Sequence, residues 1–501
     1  MSLTYVSVLV LYLIAMVVVA ALFSRRSAMK DGKDFMLAGQ SLPTWVLAGT
    51  LLATFVGSGS IIGGASFVYS NGPLPGIFFF AGTFVGIIAL AFMAKKVRTN
   101  SFNTVPELLE TRYGRATGII GTVIVLIAFI GISAYQFTGA GAIFSLITPL
   151  SEVQGTIVAT VLITFLSLSG GLKSVAWTDF LSAVLILVGL VATLFYVFVN
   201  DVGGIGAYVD RLDPAFRTVT GTLGPVQILG YFLPLFLLIL GDQNMHQRLA
   251  AAKDARTARR AIGLFFGGAV FLVGPIILLA SAATIVNPGS DPDQAILGLA
   301  GGDFTPEVIG AVLLVAALAL IVTTGSSYLL TCSGNIVFDL VFHRRRGAMT
   351  RAAQMESESG TGTSQVLVGR IAVIGVAVLG YVMVQFFPSL LALQMYAYTM
   401  YGAAITPVVI AALFWKRATA IGAITSMIAA GAATILWEVV GPVEQVASVV
   451  VALPVSVVSL VVVSLLTGKS VRPRSSFAVS DEDLAAGANA SVRHTGGIGA
   501  R

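Results

Sequence analysis

The chain has 501 residues, of which 56% are hydrophobic and only 10% are charged, and its mean hydropathy is +0.93. This composition leaves too few polar side chains to cover a water-facing surface, which excludes an ordinary soluble domain. The net charge of +6 comes without an aromatic-rich basic motif, so nucleic-acid binding is not expected. The composition instead predicts an all-α polytopic membrane protein.

Thirteen apolar stretches are suitable for crossing a hydrocarbon layer of about 30 Å as helices. They are predicted at residues 4–23, 43–69, 76–93, 119–147, 156–168, 180–199, 226–240, 261–285, 308–340, 366–387, 390–415, 421–437 and 447–466. Several stretches are shorter or longer than a bilayer requires. This variation predicts tilting, local unwinding or burial among neighbouring helices.

The first stretch lacks the basic residues that precede the apolar run of a cleaved signal peptide. Because basic residues stay on the cytoplasmic side, the connections between spans indicate the orientation. If alternate connections face the cytoplasm, beginning with the one that holds Arg25 and Arg26, every Lys and Arg except Arg211 and Arg217 is cytoplasmic. The sequence therefore predicts a multi-pass plasma (inner) membrane protein with its N-terminus outside and its C-terminus inside.

The second and seventh stretches each contain polar and glycine residues where a lipid-facing helix would have Leu or Ile. A membrane helix breaks only where its freed backbone groups face protein or a water-filled site, and paired breaks are typical of transporter binding sites. Small residues also allow close helix packing, which is an alternative interpretation of both runs. The candidate substrate-binding residues at the two predicted breaks are Ser58, Gly59, Ser60, Asp242, Gln243 and Asn244.

Spans two to six and seven to eleven form two groups of five, so their first helices must have opposite orientations. This arrangement predicts an inverted five-plus-five repeat. We expect a first helix and cytoplasmic loop at residues 1–42, the two repeats at 43–224 and 225–417, two C-terminal helices at 418–468, and a flexible cytoplasmic tail at 469–501.

The ninth stretch contains adjacent hydroxyls at Thr323 and Thr324. Helical hydroxyls usually bond to a carbonyl one turn back, and this alternative needs no ligand. A hard cation, however, requires several oxygen ligands, and two hydroxyls beside the carbonyls of a broken helix would supply them. In the eleventh stretch, Tyr398 and Thr399 could line a pocket, although aromatic residues there also serve packing.

Four segments carry a family pattern: Gly170 to Asp179, Asp242 to Arg248, Thr323 and Thr324 ahead of Asp339, and Phe414 to Thr419. Together they resemble the sodium/solute symporter family. The run from Gly170 to Asp179 is similar to the family signature GG-x-x-x-V-x-W-T-D, and Asp242 to Arg248 is similar to the exit of the family's seventh helix. Thr323 and Thr324 precede Asp339 with the family's spacing, and Phe414 to Thr419 resembles the end of its eleventh helix. The resemblance covers residues 4–466.

The resemblance implies a LeuT-like core of ten helices that works by alternating access. It also implies a sodium site made of the backbone carbonyls of Ala53, Val56 and Leu320 with the hydroxyls of Thr323 and Thr324. Asp179 corresponds to an acidic residue near the family's inward sodium path, and we expect it beside cytoplasmic water at a helix end. The alternative for Asp179 is a solvated cap at the start of a helix.

The substrate class depends on Asp242, which matches a substrate-contacting Asn in the family's sugar carriers. A carboxylate in a pocket of reduced dielectric favours a substrate with an amine or another positive group. An internal salt bridge or a helix-break cap is the alternative. Ser60 replaces a Gln that is typical of the sugar carriers, and Phe55 replaces an Asp of the proline carriers, so neither solute is indicated.

The expected function is sodium-coupled secondary transport of a small organic solute, with an amine-bearing or zwitterionic substrate. Proton coupling through Asp242, or a membrane ligand sensor that transports nothing, are the alternatives. The three histidines are scattered, and Gly468 to Ser470 lacks the upstream glycine of a phosphate loop, so an enzyme is not expected. We expect Na⁺ as coupling ion, no organic cofactor, and the solute and the lipid bilayer as partners without an obligate protein partner.

Overall fold

A computed structural model describes residues 4–12, 14, 18, 41–100, 102, 104–168, 172–301, 304–341 and 351–468. Part of the first predicted span, the loop with Arg25 and Arg26, and the predicted flexible tail at 469–501 lie outside the described residues. Gly170 and Gly171 of the signature run also lie outside them. Residues 4–12 are helical.

The other described residues form eighteen α-helices joined by short turns. The first ten are α1 (Thr44–Phe55), α2 (Gly64–Asn71), α3 (Pro73–Asn100), α4 (Val105–Tyr113), α5 (Arg115–Ile147), α6 (Glu152–Ser167), α7 (Leu172–Val197), α8 (Ile205–Arg211), α9 (Pro225–Gly241) and α10 (Gln243–Ala250). The remaining eight are α11 (Ala255–Val286), α12 (Ala295–Gly301), α13 (Glu307–Asn335), α14 (Arg351–Val384), α15 (Leu390–Ala404), α16 (Thr406–Phe414), α17 (Ala420–Val440) and α18 (Ser448–Thr467).

Helix starts between the long spans are set by capping side chains. The Ser151 hydroxyl accepts a hydrogen bond from the Gln154 backbone N–H while the Gln154 side chain accepts from the Ser151 N–H, which is a capping box at the start of α6. Asp254 and Thr419 accept from the third residue of α11 and α17 in the same way. The sequence therefore fixes where these helices begin before any tertiary contact is made.

Ten described helical segments are long and apolar enough to cross a membrane, or eleven when the bent pair of α1 and α2 is counted as one span. The second to thirteenth predicted stretches each coincide with one helix or helix pair. The fifth corresponds to α6, which has only 16 residues. The all-helical membrane fold is confirmed, and the total of thirteen spans stays a prediction.

The centre of the bundle is formed by α13 and by α15 with α16, since 83% of the apolar window of each of these spans is buried. In contrast, only 28% of the corresponding window of α14 and of α18 is buried. Glycines allow the central helices to approach closely: a Cβ at Gly189 of α7 would lie 2.9 Å from the Leu313 Cα of α13. The central helices carry most of the polar residues considered below.

Hydrogen bonds join neighbouring segments at each of the two ends of the bundle. At one end, which we call the basic end, the Lys96 ammonium donates to the Leu413 carbonyl at 2.9 Å, and Arg98 donates to the Ala252 carbonyl at 2.9 Å. At the opposite end, the Tyr5 hydroxyl donates to the Ala300 carbonyl at 3.0 Å. Lys96 and Arg98 therefore lie at one end of the bundle, and the N-terminal helix reaches the other.

Candidate solute and cation site

The second predicted span is broken between α1 and α2. Val56 leaves the helical region with φ −92° and ψ 93°, the π-helical turn Gly59–Gly63 follows, and the two parts of the span are bent by 58°. Glycine is needed at the break because a Cβ at Gly57 would lie 2.5 Å from Gln136 Nε2 and one at Gly59 would lie 2.9 Å from the Tyr398 hydroxyl. The predicted break and the close packing of small residues are both present.

The seventh predicted span is broken at Asp242, whose φ −55° and ψ 123° separate α9 from α10. The Asp242 carboxylate accepts a hydrogen bond from the Met245 N–H at 3.0 Å and so caps α10. The carbonyl that the break frees at Gly241 accepts from the Tyr401 hydroxyl at 2.8 Å. The Gly241 carbonyl and the Met245 N–H at this break thus both have a hydrogen-bond partner from the protein, as the bilayer interior requires.

One carbonyl at the first break meets one hydroxyl of the α13 pair. The Thr324 hydroxyl donates to the Ala53 carbonyl at 3.1 Å, and the Thr323 hydroxyl donates to the Leu320 carbonyl at 3.1 Å within its own helix. Ala53, Val56, Leu320, Thr323 and Thr324 are all buried. The Thr323 bond is the local arrangement considered as an alternative, whereas the Thr324 bond joins two helices.

These oxygens suit a hard cation. A cation with oxygen ligands at about 2.3–2.6 Å, as found for Ca²⁺, places neighbouring ligands at right angles roughly 3.3–3.7 Å apart. The oxygens of Ala53 and Thr324 are 3.1 Å apart, so the pair needs to separate by only a few tenths of an ångström. All five predicted ligands are neutral oxygens, which could bind a monovalent ion without adding a buried negative charge.

Asp179 lies inside α7 and is 2% exposed, so its predicted position beside cytoplasmic water is wrong and so is the solvated cap. Its Oδ2 accepts hydrogen bonds from the Thr50 hydroxyl at 2.7 Å and from Arg248 Nη2 at 3.3 Å. Arg248 Nε also donates to the Thr50 oxygen at 3.0 Å. The prediction fails because Arg248, which was expected in the cytoplasm, is also buried. Its guanidinium pairs with the Asp179 carboxylate inside the bundle and compensates that charge.

The Asp179 network reaches the predicted cation ligands, because the Thr323 hydroxyl, which donates to the Leu320 carbonyl, also interacts with the Asp179 carboxylate. Three separate helices therefore meet at one carboxylate: α1 through Thr50, α10 through Arg248 and α13 through Thr323. We call Asp179, Arg248 and Thr50 the inner network. It lies on the basic-end side of the α1 break, since Arg248, near the end of α10, is followed four residues later by Ala252, which accepts the Arg98 hydrogen bond.

A cavity lies between the two breaks and opens to solvent at its mouth. Aromatic and aliphatic side chains form most of its wall, and a few polar groups interrupt them. The lining residues are Thr54, Phe55, Gly59, Ser60, Phe79, Phe80, Thr83, Leu235, Leu238, Ile239, Asp242, Met245, Tyr328, Gln394 and Tyr398. The cavity thus places the predicted Gly59, Ser60, Asp242 and Tyr398 around one space.

Asp242 is the only acidic residue among those lining residues, and it is 1% exposed. Its Oδ2 accepts a hydrogen bond from the Tyr328 hydroxyl at 2.7 Å, and its Oδ1 accepts from the Met245 N–H. Within the described residues no ion pair involves Asp242, and Arg248 acts on it only at longer range. The helix-break cap is therefore confirmed and the internal salt bridge is wrong.

Ser58, predicted to bind substrate, instead joins the broken helix to α5. Its hydroxyl donates to the Tyr135 carbonyl and to Gln136 Oε1, both at 2.9 Å, and its N–H donates to Gln136 Oε1 at 3.0 Å. With these bonds made, the Ser58 side chain is absent from the cavity wall. Thr399 is buried and is also absent from it, because it follows Tyr398 on the helix and points in another direction.

Gln243 and Asn244 were also predicted to contact substrate, and the cavity wall contains neither. Gln243 Nε2 donates to Asn335 Oδ1 at 2.8 Å, and the Thr331 hydroxyl donates to Asn244 Oδ1 at 2.8 Å. Successive helical residues diverge by about 100°, so only one of the three polar residues at the start of α10 can face the cavity. Asp242 occupies that direction.

Four polar lining residues were missed by the sequence prediction: Thr54, Thr83, Tyr328 and Gln394. Gln394 carried a usable signal, because a side-chain amide within an apolar membrane helix is rare and usually functional. Thr83 and Tyr328 carried none, since Thr and Tyr occur in membrane helices for local hydrogen bonding and packing.

Comparison with known proteins agrees with this arrangement. The Sodium:solute symporter family model matches residues 35–430. The high-affinity proline transporter of Bacillus subtilis (strain 168) is 28% identical over 456 residues, which cover 87% of this chain and 92% of that transporter. The sodium/proline symporter of Haemophilus influenzae is 26% identical over 470 residues, which cover 87% of this chain and 90% of that symporter.

Solved structures show the same fold. A Na⁺-coupled sialic acid symporter in a substrate-bound outward-open state matches with a TM-score of 0.75 at 18% identity, over 94% of this chain and 98% of that one. A nucleobase-cation-symport-1 family transporter matches with a TM-score of 0.56 at 13% identity, over 86% of this chain and 95% of that one. The chain therefore belongs to the sodium:solute symporter family: it is a multi-pass membrane protein with the LeuT-like fold that couples transport of a small solute to sodium, and it is not an enzyme.

Proposed function

We propose that this transporter imports a small zwitterionic amino compound, whose ammonium group pairs with Asp242 in the cavity. The observation that carries the proposal is the state of that carboxylate. It is buried, it lines the cavity, and among the described residues its hydrogen-bond partners are a hydroxyl and backbone N–H groups, which are all neutral.

A buried carboxylate without a cation is costly, by several kcal/mol even after relaxation of the surroundings. A substrate ammonium would compensate this charge when it enters, whereas an anionic solute would add a second negative charge. A neutral sugar could hydrogen-bond to Asp242 but would leave its charge unpaired. The cavity therefore favours a positively charged group over both.

The curated relatives support an amine-bearing substrate. They include a proline transporter and several sodium/proline symporters at 25–28% identity. Proline is a zwitterion with a secondary ammonium group. Phe55, which stands where the resemblance to the proline carriers would require Asp, lines the cavity here, so the substrate need not be proline itself.

For sodium we propose the site of Ala53, Val56, Leu320, Thr323 and Thr324. The contact between the Thr324 hydroxyl and the Ala53 carbonyl supports it, because an ion there would hold the broken helix against α13. Asp179, which interacts with the Thr323 hydroxyl, is proposed to receive the ion on its way to the cytoplasm. Release then requires Arg248 to give up part of its contact with the carboxylate.

The proposed topology has the basic end in the cytoplasm and the N-terminus outside. The N-terminal helix reaches the end opposite to Lys96 and Arg98, and basic residues stay inside. We also propose that residues 43–224 and 225–417 are the inverted repeats, each opening with a broken helix. One positive charge moving inward gains about 2.3 kcal/mol per 100 mV, or roughly 1.7 decades of accumulation, which suffices for uptake.

The test is uptake by the purified full-length chain in liposomes, with amino acids, amines, carboxylates and sugars offered under separate gradients of Na⁺, K⁺ and H⁺. We expect uptake of zwitterionic amines that requires Na⁺ and increases with an inside-negative voltage. Preference for an anionic or neutral solute would contradict the role of Asp242. Uptake driven by protons alone would favour proton coupling, and binding without flux would favour a sensor.

A further inference from the structure

Two buried polar atoms in the cavity lack a hydrogen-bond partner among the described residues. They are Gln394 Oε1 on α15 and Thr83 Oγ1 on α3, and the two side chains are 1% and 0% exposed. Both side chains line the cavity that contains Asp242. Leaving such atoms without a partner is unfavourable, so a ligand that supplies the partner gains affinity.

The Gln394 amide is held in place by the broken helix. A Cβ at Gly59 would lie 3.0 Å from Gln394 Nε2, and one at Gly63 would overlap Gln394 Oε1, so the amide packs directly against glycine backbone. The same side chain hydrogen-bonds Tyr398, while its Oε1 has no partner. A fixed hydrogen-bond acceptor is therefore present in the wall of the cavity.

The Thr83 hydroxyl differs from that of the other threonine in the cavity wall. Thr54 donates to the Thr50 carbonyl at 2.7 Å, which is the usual bond of a helical hydroxyl to the preceding turn. Thr83 makes no such bond in the structure and keeps its donor available. The cavity thus offers one fixed acceptor and one available donor in addition to the Asp242 carboxylate.

We infer that the cavity selects substrates by the number of N–H donors on the ammonium group: one N–H goes to Asp242, a second goes to Gln394 Oε1, and a substrate acceptor receives the Thr83 hydroxyl. This inference rests on the proposed function and specifies its substrate class. Primary and secondary ammonium zwitterions satisfy all three groups. A quaternary ammonium retains the charge for Asp242 but leaves Gln394 Oε1 buried without a partner.

The cost of that unpaired acceptor sets the size of the effect. Leaving a buried acceptor without its partner is expected to weaken binding roughly 5- to 150-fold. A site built to hydrogen-bond an N–H discriminates against the analogue lacking it much better than an apolar pocket discriminates by size. Selection should therefore exceed what one added methyl group would produce by bulk alone.

The experiment uses two methylation series that keep the carboxylate and the net charge constant: glycine, sarcosine, dimethylglycine and glycine betaine, and proline, N-methylproline and N,N-dimethylproline. Binding to the full-length protein is measured as Na⁺-dependent thermal stabilisation. We expect affinity to fall 5- to 150-fold at the step where the second N–H is lost, in at least one series. Equal affinity of the quaternary member, or no binding by any member, overturns the inference.

Variants separate hydrogen bonding from bulk. Gln394→Met keeps the volume but removes the acceptor, and it should weaken binding of the secondary amine while leaving the quaternary amine unchanged. Thr83→Val should weaken all members of a series equally, because the carboxylate is common to them. If Gln394→Met retains full discrimination, the selection is steric and the inference fails.

Binding by the Asp242→Asn protein tests the proposed function separately from selection by N–H count. If quaternary amines bind as well as secondary amines but Asp242→Asn abolishes binding of both, selection by N–H count is wrong and the proposed pairing with Asp242 stands. If Asp242→Asn leaves binding unchanged, the proposed function fails as well.

Discussion

Two buried carboxylates, Asp179 and Asp242, lie in the same bundle and are almost equally hidden from solvent, but they have different partners. Asp179 is paired with the Arg248 guanidinium and also accepts from Thr50. Among the described residues, Asp242 accepts from the Tyr328 hydroxyl and from backbone N–H groups at the start of α10, which are all neutral. One charge is therefore compensated inside the protein, and the other is not.

The two carboxylates therefore have different roles: Asp179 helps to hold the helices together, and Asp242 is available to bind a solute. The inner network joins α1, α7 and α10, so its charge pair is part of what keeps the basic end of the broken helices in place. Asp242 faces the cavity, and its charge can be compensated by a solute that enters. Disturbing the Asp179 charge pair should therefore reduce stability, whereas removing the Asp242 charge should reduce substrate binding and transport without loss of stability.

Removing the partner of Asp179 should be the most damaging change. Arg248→Met leaves the Asp179 carboxylate buried and unpaired, which is expected to cost about 3–5 kcal/mol of stability. Thermal unfolding in detergent measures the loss. Combining Arg248→Met with Asp179→Asn should recover most of it, and Arg260→Met, at an exposed position, is the matched control. Unchanged unfolding of Arg248→Met would show that the inner network does not stabilise this conformation.

Removing the charge of Asp242 should affect binding and not folding. Asp242→Asn keeps the shape and the bond from Met245 but cannot pair with an ammonium, so substrate affinity should fall roughly 10- to 150-fold. The unfolding temperature should stay the same or rise, because an uncompensated charge is gone. Uptake and unfolding are measured on the same preparation, with the exposed Asp210→Asn as control. A strongly destabilised Asp242→Asn protein would erase the contrast with Asp179.

The predicted cation site adjoins Asp179 through Thr323 and can be tested by removing one oxygen. Thr324→Val removes the hydroxyl that meets the Ala53 carbonyl, and the Na⁺ concentration for half-maximal uptake should rise about tenfold. Thr323→Ser keeps its oxygen and should leave the Na⁺ dependence near that of the wild type. Unaltered Na⁺ dependence in Thr324→Val would remove this residue from the cation site.

A third acid, Asp293 in the turn Pro292–Gln294, tests the same reasoning outside the spans, with the smallest effect. Burial raises the pKa of Asp293, although its Oδ2 accepts from the Leu390 N–H at 3.2 Å. Below the ordinary Asp pKa the group is protonated in both folded and unfolded protein. As pH rises through the raised pKa, the folded protein must bury a charge, and the stability contributed by this group is lost.

The Asp293→Asn protein avoids that loss, so at neutral pH it should unfold at a slightly higher temperature than the wild type. The gap should close as pH falls through the raised pKa of Asp293 towards the ordinary Asp value. Unfolding temperatures of both proteins across this pH range provide the measurement. A gap that is independent of pH would mean that the substitution acts through packing.

Much of the architecture was predictable from the sequence because the bilayer restricts the possibilities. Apolar length predicted the helices, and the runs around Gly57 and Asp242 predicted the two breaks, since polar and glycine residues at mid-span have few other uses. Thr323 and Thr324 were predicted for the same reason. Their roles as ion ligands stay predictions, as do the boundaries of the repeats.

The direction of individual side chains was not predictable. Ser58 and Asn244 belong to the predicted breaks, but they bond to α5 and α13 and do not reach the cavity. The sequence predicts that Arg248 is a solvated cation beyond the end of a helix, but Arg248 is buried against Asp179. These outcomes depend on which neighbouring helix supplies a partner, and no local pattern contains that information.

The sequence by itself therefore determined that the chain spans a membrane, where its helices break, and which polar residues must be accommodated away from lipid. The packing of segments that are distant in sequence set the two outcomes. Asp179 is paired with the Arg248 guanidinium, whereas Asp242 faces a cavity that Gln394 and Thr83 also line. The physical reason is that desolvation cost is a property of the residue and its depth, whereas compensation depends on groups distant in sequence that packing brings within hydrogen-bond distance.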